Sequence, residues 1–147
     1  MSGRLLHPAS YEGDNLSPQK RSERMGQVRG KNTKPELIVR RLVHSLGYHY
    51  RLHSRTLPGT PDLVFASRKK AVFVHGCFWH RHMDCRLAST PNNNSEFWSA
   101  KFEANKKRDA RNIEELLRLG WKVHVVWQCQ LKDSEALKKD LVAFLEQ

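Results

Sequence analysis

Asp62, His75 and His80 are the residues of this chain whose types and spacing best suit phosphodiester hydrolysis. Breaking such a bond takes charge stabilisation on the phosphate, an activated water and a path for the leaving group. A carboxylate such as Asp62 is a hard oxygen ligand of the kind magnesium prefers. It follows the turn Leu57-Pro58-Gly59-Thr60-Pro61 and opens the apolar run Leu63-Val64-Phe65-Ala66. Imidazole titrates near neutral pH, which makes His75 and His80 candidate acid and base groups. Glu36 is a candidate for orienting a metal-bound water. Each of these also has an ordinary structural reading. Asp62 can cap a turn, Glu36 can close a capping box, His75 can be a core histidine, and His80 can sit at the surface or bind a metal.

A second constellation is built from softer donors. Cys77, His82 and Cys85 fall within nine residues, and Cys129 lies far along the chain. Three thiolates and one imidazole are a preferred tetrahedral set for zinc. His80 is a competing nitrogen. The loop from Cys77 to Cys85 has little apolar content to hold it, so a metal would fix its shape and tie it to Cys129. The spacing is not one of the common finger patterns, and Cys129 also reads as an ordinary core cysteine.

Charge points to the partner. Twenty-six Lys and Arg face 15 Asp and Glu, a formal charge of +11. Such a surplus favours a polyanion, since each phosphate neutralised releases counterions. Phe78-Trp79 lies inside the candidate zinc loop and Phe97-Trp98 starts a helix, near Arg81, Arg86 and Lys101. Aromatics beside cations suit stacking on bases or wedging between them. Phe97 and Trp127 are expected in the core, whereas Phe78 and Trp79 are hard to bury in a polar loop.

The elements that must position these groups are legible. At 147 residues the chain suits one domain. Residues 1–18, rich in Ser, Gly and Pro, read as a flexible tail, and residues 19–147 as the working domain. Met1 to Ser17 lacks the apolar core of a signal peptide, and no run approaches the roughly 20 apolar residues of a membrane span. A cytoplasmic protein with reduced thiols is expected. Gln19 to Gly30 is basic, with Met25 and Val28 as an apolar pair, and suits a short helix. Thr33-Lys34-Pro35-Glu36 is a capping-box pattern with Pro in the first turn. The helix after it carries Ile38, Leu42 and Leu46 as a stripe, flanked by Leu37, Val39 and Val43, and ends at Gly47. Tyr48 to His53 can form a strand. Leu63 to Ala66 and Ala71 to Val74 suggest a buried hairpin around Ser67-Arg68-Lys69-Lys70. Its pairing brings Asp62 to the Val74–His75 end, where a backbone carbonyl is a candidate second metal ligand. A helix over Ser95 to Leu119, closed by Gly120, precedes a strand from Val123 to Trp127. A last helix near Ser134 carries Leu137, Leu141 and Leu145. The order of helix, three strands, helix, strand and helix predicts an α/β domain with a mixed sheet covered by helices.

From roughly Ser22 to Leu131 the sequence resembles the very-short-patch-repair (Vsr) endonucleases. The landmarks are Met25, Gly30-Lys31-Asn32-Thr33-Lys34-Pro35-Glu36, Leu57 to Asp62, Val74-His75-Gly76-Cys77-Phe78-Trp79-His80, Phe97-Trp98, Asn105 with Arg108-Asp109, and Gly120-Trp121 running to Val126-Trp127-Gln128-Cys129. The resemblance implies a restriction-endonuclease-like fold without the usual Glu-x-Lys. It implies an endonuclease that nicks double-stranded DNA 5′ of the thymine in a T:G mismatch, leaving a 5′-phosphate and starting very short patch repair of deaminated 5-methylcytosine. Carried over, Asp62 and the Val74 carbonyl hold Mg2+, and His80 activates water. His75 and Glu36 support His80 through hydrogen bonds. Cys77, His82, Cys85 and Cys129 hold structural Zn2+. Phe78, Trp79 and Trp98 wedge into the duplex beside the mismatch, with Met25 entering from the other side. A cytoplasmic, nucleoid-associated monomer is expected, with mismatch-repair proteins as candidate partners. Two alternatives stand beside it: a restriction-like nuclease of the same fold with another DNA target, and a non-catalytic zinc-containing DNA-binding module.

Overall fold

Thr33 starts the first helix, α1 (Lys34–Ser45), from an extended conformation, its hydroxyl accepting the Glu36 N–H at 3.3 Å. Only half of the capping box forms. The Glu36 carboxylate accepts the Asn32 N–H at 2.9 Å and turns its other oxygen to Arg40 and His53. The fully buried face of α1 is therefore Glu36 with the flanking Val39 and Val43, and the expected central stripe of Ile38, Leu42 and Leu46 is only partly buried. An apolar pattern does not reveal a helix face that carries a carboxylate inward. Gly47, at φ +88°, ends the helix as expected.

The computed structural model describes residues 32–147. The expected tail, the short helix over Gln19 to Gly30 and Met25 lie outside the described residues. After α1 come β1 (Arg51–Leu52), β2 (Leu63–Phe65), β3 (Lys70–His75), α2 (Ser95–Arg118), β4 (Lys122–Trp127) and α3 (Ser134–Glu146). The sheet order is β1-β2-β3-β4, antiparallel except for the parallel β3–β4 pair. Antiparallel neighbours need only turns, whereas the parallel pair needs a crossover, which α2 supplies. β1 is shorter than the strand expected over Tyr48 to His53. His53 sits at φ +47°, outside the extended region, and ends it.

The hairpin register pairs Leu63 with Val72 and Val64 with Ala71. Alternation then sends Leu63, Phe65 and Val72 to one face, where they pack with Val126, Val39 and Val43 of α1 and Leu137, Leu141 and Leu145 of α3. The expected α3 stripe is thus wholly buried. Lys70 is 4% exposed and donates to the carbonyls of Phe144 and Leu145 at 2.7 and 2.9 Å, a cation on the C-terminal end of α3. Phe73 and His75 face the other way, toward α2, and line a cavity with its residues Asp109, Asn112 and Ile113. No helix among the described residues is long and apolar enough to cross a membrane.

Candidate active site and metal centre

The cavity between β3 and α2 has a volume of about 150 Å³ and is walled by Asp62, Val74, His75, His80, Arg108 and Asp109. The hairpin delivers Asp62 where its pairing requires. Asp62 Oδ2 accepts the Val74 N–H at 2.7 Å. This bond uses the N–H of Val74 and not its carbonyl, the group expected as a second metal ligand. Burial pushes the Asp62 carboxyl up to about 7, against the Val74 hydrogen bond and with help from the nearby Glu36 charge. Oxygen donors in a polar cavity, one of them an incompletely compensated carboxylate, fit a hard divalent cation.

Two histidines stand together. The rings of His75 and His80 stack with centroids 3.8 Å apart and planes 4° from parallel. His75 Nδ1 is buried without a hydrogen-bond partner among the described residues. Burial, with His80 alongside, drives the His75 pKa down to about 3, so the ring is neutral at physiological pH. His80 Nδ1 meets Asp109 Oδ2 at 2.5 Å, leaving Nε2 as the nitrogen for other work. The hydrogen-bond support for His80 expected from His75 and Glu36 is therefore supplied by Asp109. His75 reaches His80 by stacking. Glu36, fully buried at the start of α1, bonds to His53 at 2.6 Å and pairs with Arg40.

The helix α2 positions Asp109. Its inward stripe runs Trp98, Phe102, Asn105, Asp109, Ile113 and Leu116, apolar at both ends and polar in the middle. Asn105 is buried and donates to the Trp79 carbonyl at 3.0 Å, pinning the His75–His80 loop to the helix. Asp109 feels burial upward, but the hydrogen bond and charge of His80 hold it below the usual carboxylate range. The polar break in an otherwise apolar stripe is the sequence signal that marks Asn105 and Asp109. Only the family landmark of Asn105 with Arg108-Asp109 touched on both.

The soft-donor cluster assembles as expected. One donor atom from each of Cys77, His82, Cys85 and Cys129 lies within 4.8 Å of the others. His82 Nδ1 is 3.7 Å from Cys77 Sγ and 3.4 Å from Cys129 Sγ. A tetrahedral zinc with ordinary bond lengths has ligand–ligand edges of about 3.5–3.8 Å. The donor set and its spacing fit zinc, and His82 rather than His80 stands among the thiols. The His82 ring also stacks on Trp127 at 4.3 Å, and the His82 backbone N–H donates to the Cys77 carbonyl at 3.0 Å. Burial pushes the Cys77 thiol up to about 12. A cation is the natural means of holding it as a thiolate.

The aromatics are arranged differently from expectation. Phe78 and Trp98 are 1% and 0% exposed, packed with Phe102, and Trp79 is half-buried against them. As they stand, Phe78 and Trp98 are closed to a duplex. Arg81 explains how a polar loop buries its own aromatics. Its guanidinium lies 3.9 Å from the centre of the Phe102 ring and donates to the carbonyls of Phe78, Ala88 and Ser89. Phe97, expected in the core, is 39% exposed, and Trp127 is half-buried.

Comparisons with known proteins agree with this construction. Residues 13–87 match the family described as DNA mismatch endonuclease Vsr. The chain is 53% identical over 133 residues to the type II nicking enzyme V.XorIIP of Xanthomonas oryzae pv. oryzae, covering 90% of this chain and 97% of that one. It is 38% identical over 117 residues to the DNA mismatch endonuclease Vsr of Escherichia coli, covering 80% and 74%. Among solved structures, the catalytic domain of the homing endonuclease I-Bth0305I superposes with a TM-score of 0.55 at 19% identity, covering 77% of this chain and 94% of that one. That likeness is one of fold, and it agrees with the restriction-endonuclease-like α/β architecture expected from the sequence.

Proposed function

The chain belongs to the DNA mismatch endonuclease Vsr family, and from that premise we propose that it is a magnesium-dependent DNA endonuclease that nicks one strand 5′ of the thymine in a T:G mismatch. It thereby starts very short patch repair of deaminated 5-methylcytosine. One observation carries the reading: Asp62 and the Asp109-held His80 line a single cavity with Arg108 at its rim.

Asp62 and the Val74 carbonyl would hold the divalent cation, which when bound supplies positive charge at the scissile phosphate. His80 Nε2 takes a proton from water as the water oxygen bonds to phosphorus. The P–O3′ bond breaks, the 3′ oxygen takes a proton from solvent water, and the phosphate stays on the 5′ side of the thymine. Asp109 holds the Nδ1–H of His80 and stabilises the charge that ring acquires. His75, kept neutral by burial, packs flat on His80 and adds no competing charge. Arg108, exposed beside Asp109, grips a phosphate oxygen. Cys77, His82, Cys85 and Cys129 hold a structural zinc that fixes the loop carrying His80.

Trp79, half-buried at the edge of its cluster, is the aromatic best placed to press on the mismatch. Phe78 and Trp98 join it only if the cluster opens on DNA, and Met25 enters from the opposite side. Residues 19–147 form the working unit, with 1–18 as a tail. The protein acts as a cytoplasmic, nucleoid-associated monomer, with mismatch-repair proteins as partners. The burial of Phe78 and Trp98 gives the restriction-like alternative its footing, since a nuclease that wedges nothing into the duplex has less to read a mismatch with.

Labelled duplexes carrying T:G, other mismatches or none, incubated with Mg2+, separate these readings. Nicking confined to the thymine strand of T:G supports the proposal. Equal cutting of matched DNA supports the restriction-like reading. Binding without cleavage leaves a DNA-binding module.

A further inference from the structure

Glu36 is held on several sides at the start of α1. Its carboxylate bonds to Asn32, Arg40 and His53, and of the cavity residues it comes close to Asp62, whose carboxyl it helps to raise. What it does hold is His53, and His53 stands beside Asp62. We propose that His53 is a positioning residue for the cleavage reaction, fixing the Asp62 carboxylate against the rigid start of α1; this rests on the reading of Asp62 given above.

Three features carry the inference. The β1–β2 ladder ends at the Leu52–Leu63 pair, and the next pair outward is His53 with Asp62, joined by the His53 N–H to the Asp62 carbonyl at 3.3 Å. His53 adopts φ +47°, a region that side-chain-bearing residues rarely enter and that persists only where the surroundings hold it. Its ring supplies the anchor, with Nε2 at 2.6 Å from Glu36 Oε2 and 4.0 Å from Asp62 Oδ1. Asp62 Oδ2 is already held by the Val74 N–H. The carboxylate is thus bracketed, one oxygen on β3 and the other facing His53.

Glu36 is itself immobile. It is 1% exposed, lies in the first turn of α1 and accepts a backbone N–H as well as Arg40. The order of dependence is α1, Glu36, His53, Asp62. Removing the imidazole leaves a buried carboxylate short of a donor and frees the end of the ladder on which Asp62 rides.

The test compares His53→Ala, His53→Gln and His53→Gly, using single-turnover nicking of T:G duplex, DNA affinity, thermal melting and calorimetric titration with Mg2+ alone. His53→Ala is expected to lower kcat about 100-fold with KM for DNA within about threefold, and to weaken Mg2+ binding about tenfold. His53→Gln, whose amide nitrogen can replace Nε2 on Glu36, restores most of both. His53→Gly relieves the backbone but lacks the ring, and stays as impaired as His53→Ala. Wild-type kcat and Mg2+ affinity in His53→Ala overturn the proposal, as does full activity in His53→Gly. If His53→Ala does not fold, the other two variants decide. Asp62→Asn is run alongside. Nicking by that variant would mean that the reading of Asp62 fails, whereas its silence beside a fully active His53→Ala would sink only the role of His53.

Discussion

His80 and Asp109 meet at 2.5 Å, Nδ1 to Oδ2, across 29 residues of chain. The loop after β3 brings one and the middle of α2 brings the other. This bond sets which nitrogen of His80 faces the cavity and supplies charge opposite the ring. Asp109→Asn keeps the shape but loses the charge. We expect kcat to fall by about 10²-fold or more with DNA affinity almost unchanged. Single-turnover nicking together with a binding isotherm checks this, and a variant at wild-type rate would remove Asp109 from the mechanism.

Asp62 should cost the metal-free protein stability. Burial lifts its carboxyl from the ordinary 3.8 to about 7. The folded-state pKa lies above the unfolded one, so the folded protein holds the proton more tightly. Its contribution is fully present below about pH 4 and is lost as pH rises through about 7. Asp62→Asn should therefore raise the metal-free melting temperature at pH 8, by the equivalent of about 1–3 kcal/mol, and do little at pH 4. Mg2+ should stabilise the wild type at pH 8 and not the variant. Thermal melts at the two pH values decide, and a variant less stable than wild type at pH 8 contradicts the assignment.

Zinc should be stoichiometric and structural. Metal analysis is expected to return about one zinc per chain. Its removal by a chelator, or Cys129→Ser, should destabilise the fold by at least about 3 kcal/mol, a fall of roughly 10 °C in melting temperature. Folded, active protein free of zinc would refute this.

The turn before Asp62 has no room for a side chain. A Cβ on Gly59, at φ +77°, would lie 2.9 Å from Asn112 Cβ and 3.1 Å from the Phe73 ring. Gly59→Ala should push the turn off α2 and carry Asp62 with it. We expect a loss of about 1–3 kcal/mol in stability and a fall in kcat larger than any change in KM. Unaltered kinetics would show that the turn does not set the position of Asp62.

Sequence periodicity located each α-helix and strand of the described region to within a few residues, because apolar faces and capping signals are local. Leu137, Leu141 and Leu145 are buried as their spacing requires. It missed where polar groups were drawn inward. Glu36 displaces the expected stripe of α1, and Asn105 and Asp109 interrupt that of α2. His53 shortened β1 because a left-handed backbone is not announced by an imidazole. Phe78 and Trp98 were expected to face DNA, yet Arg81 caps their cluster with carbonyl contacts that no local pattern encodes.

The role of the Asp62 carboxylate is decided by cleavage of T:G duplex by wild type and by Asp62→Ala, at saturating protein and in parallel with binding. Asp62→Ala is expected to bind the duplex within about threefold of wild type and to nick it at least about 10³-fold more slowly. Nicking at an undiminished rate would contradict that role, because no carboxylate would then be needed where the cation is said to sit.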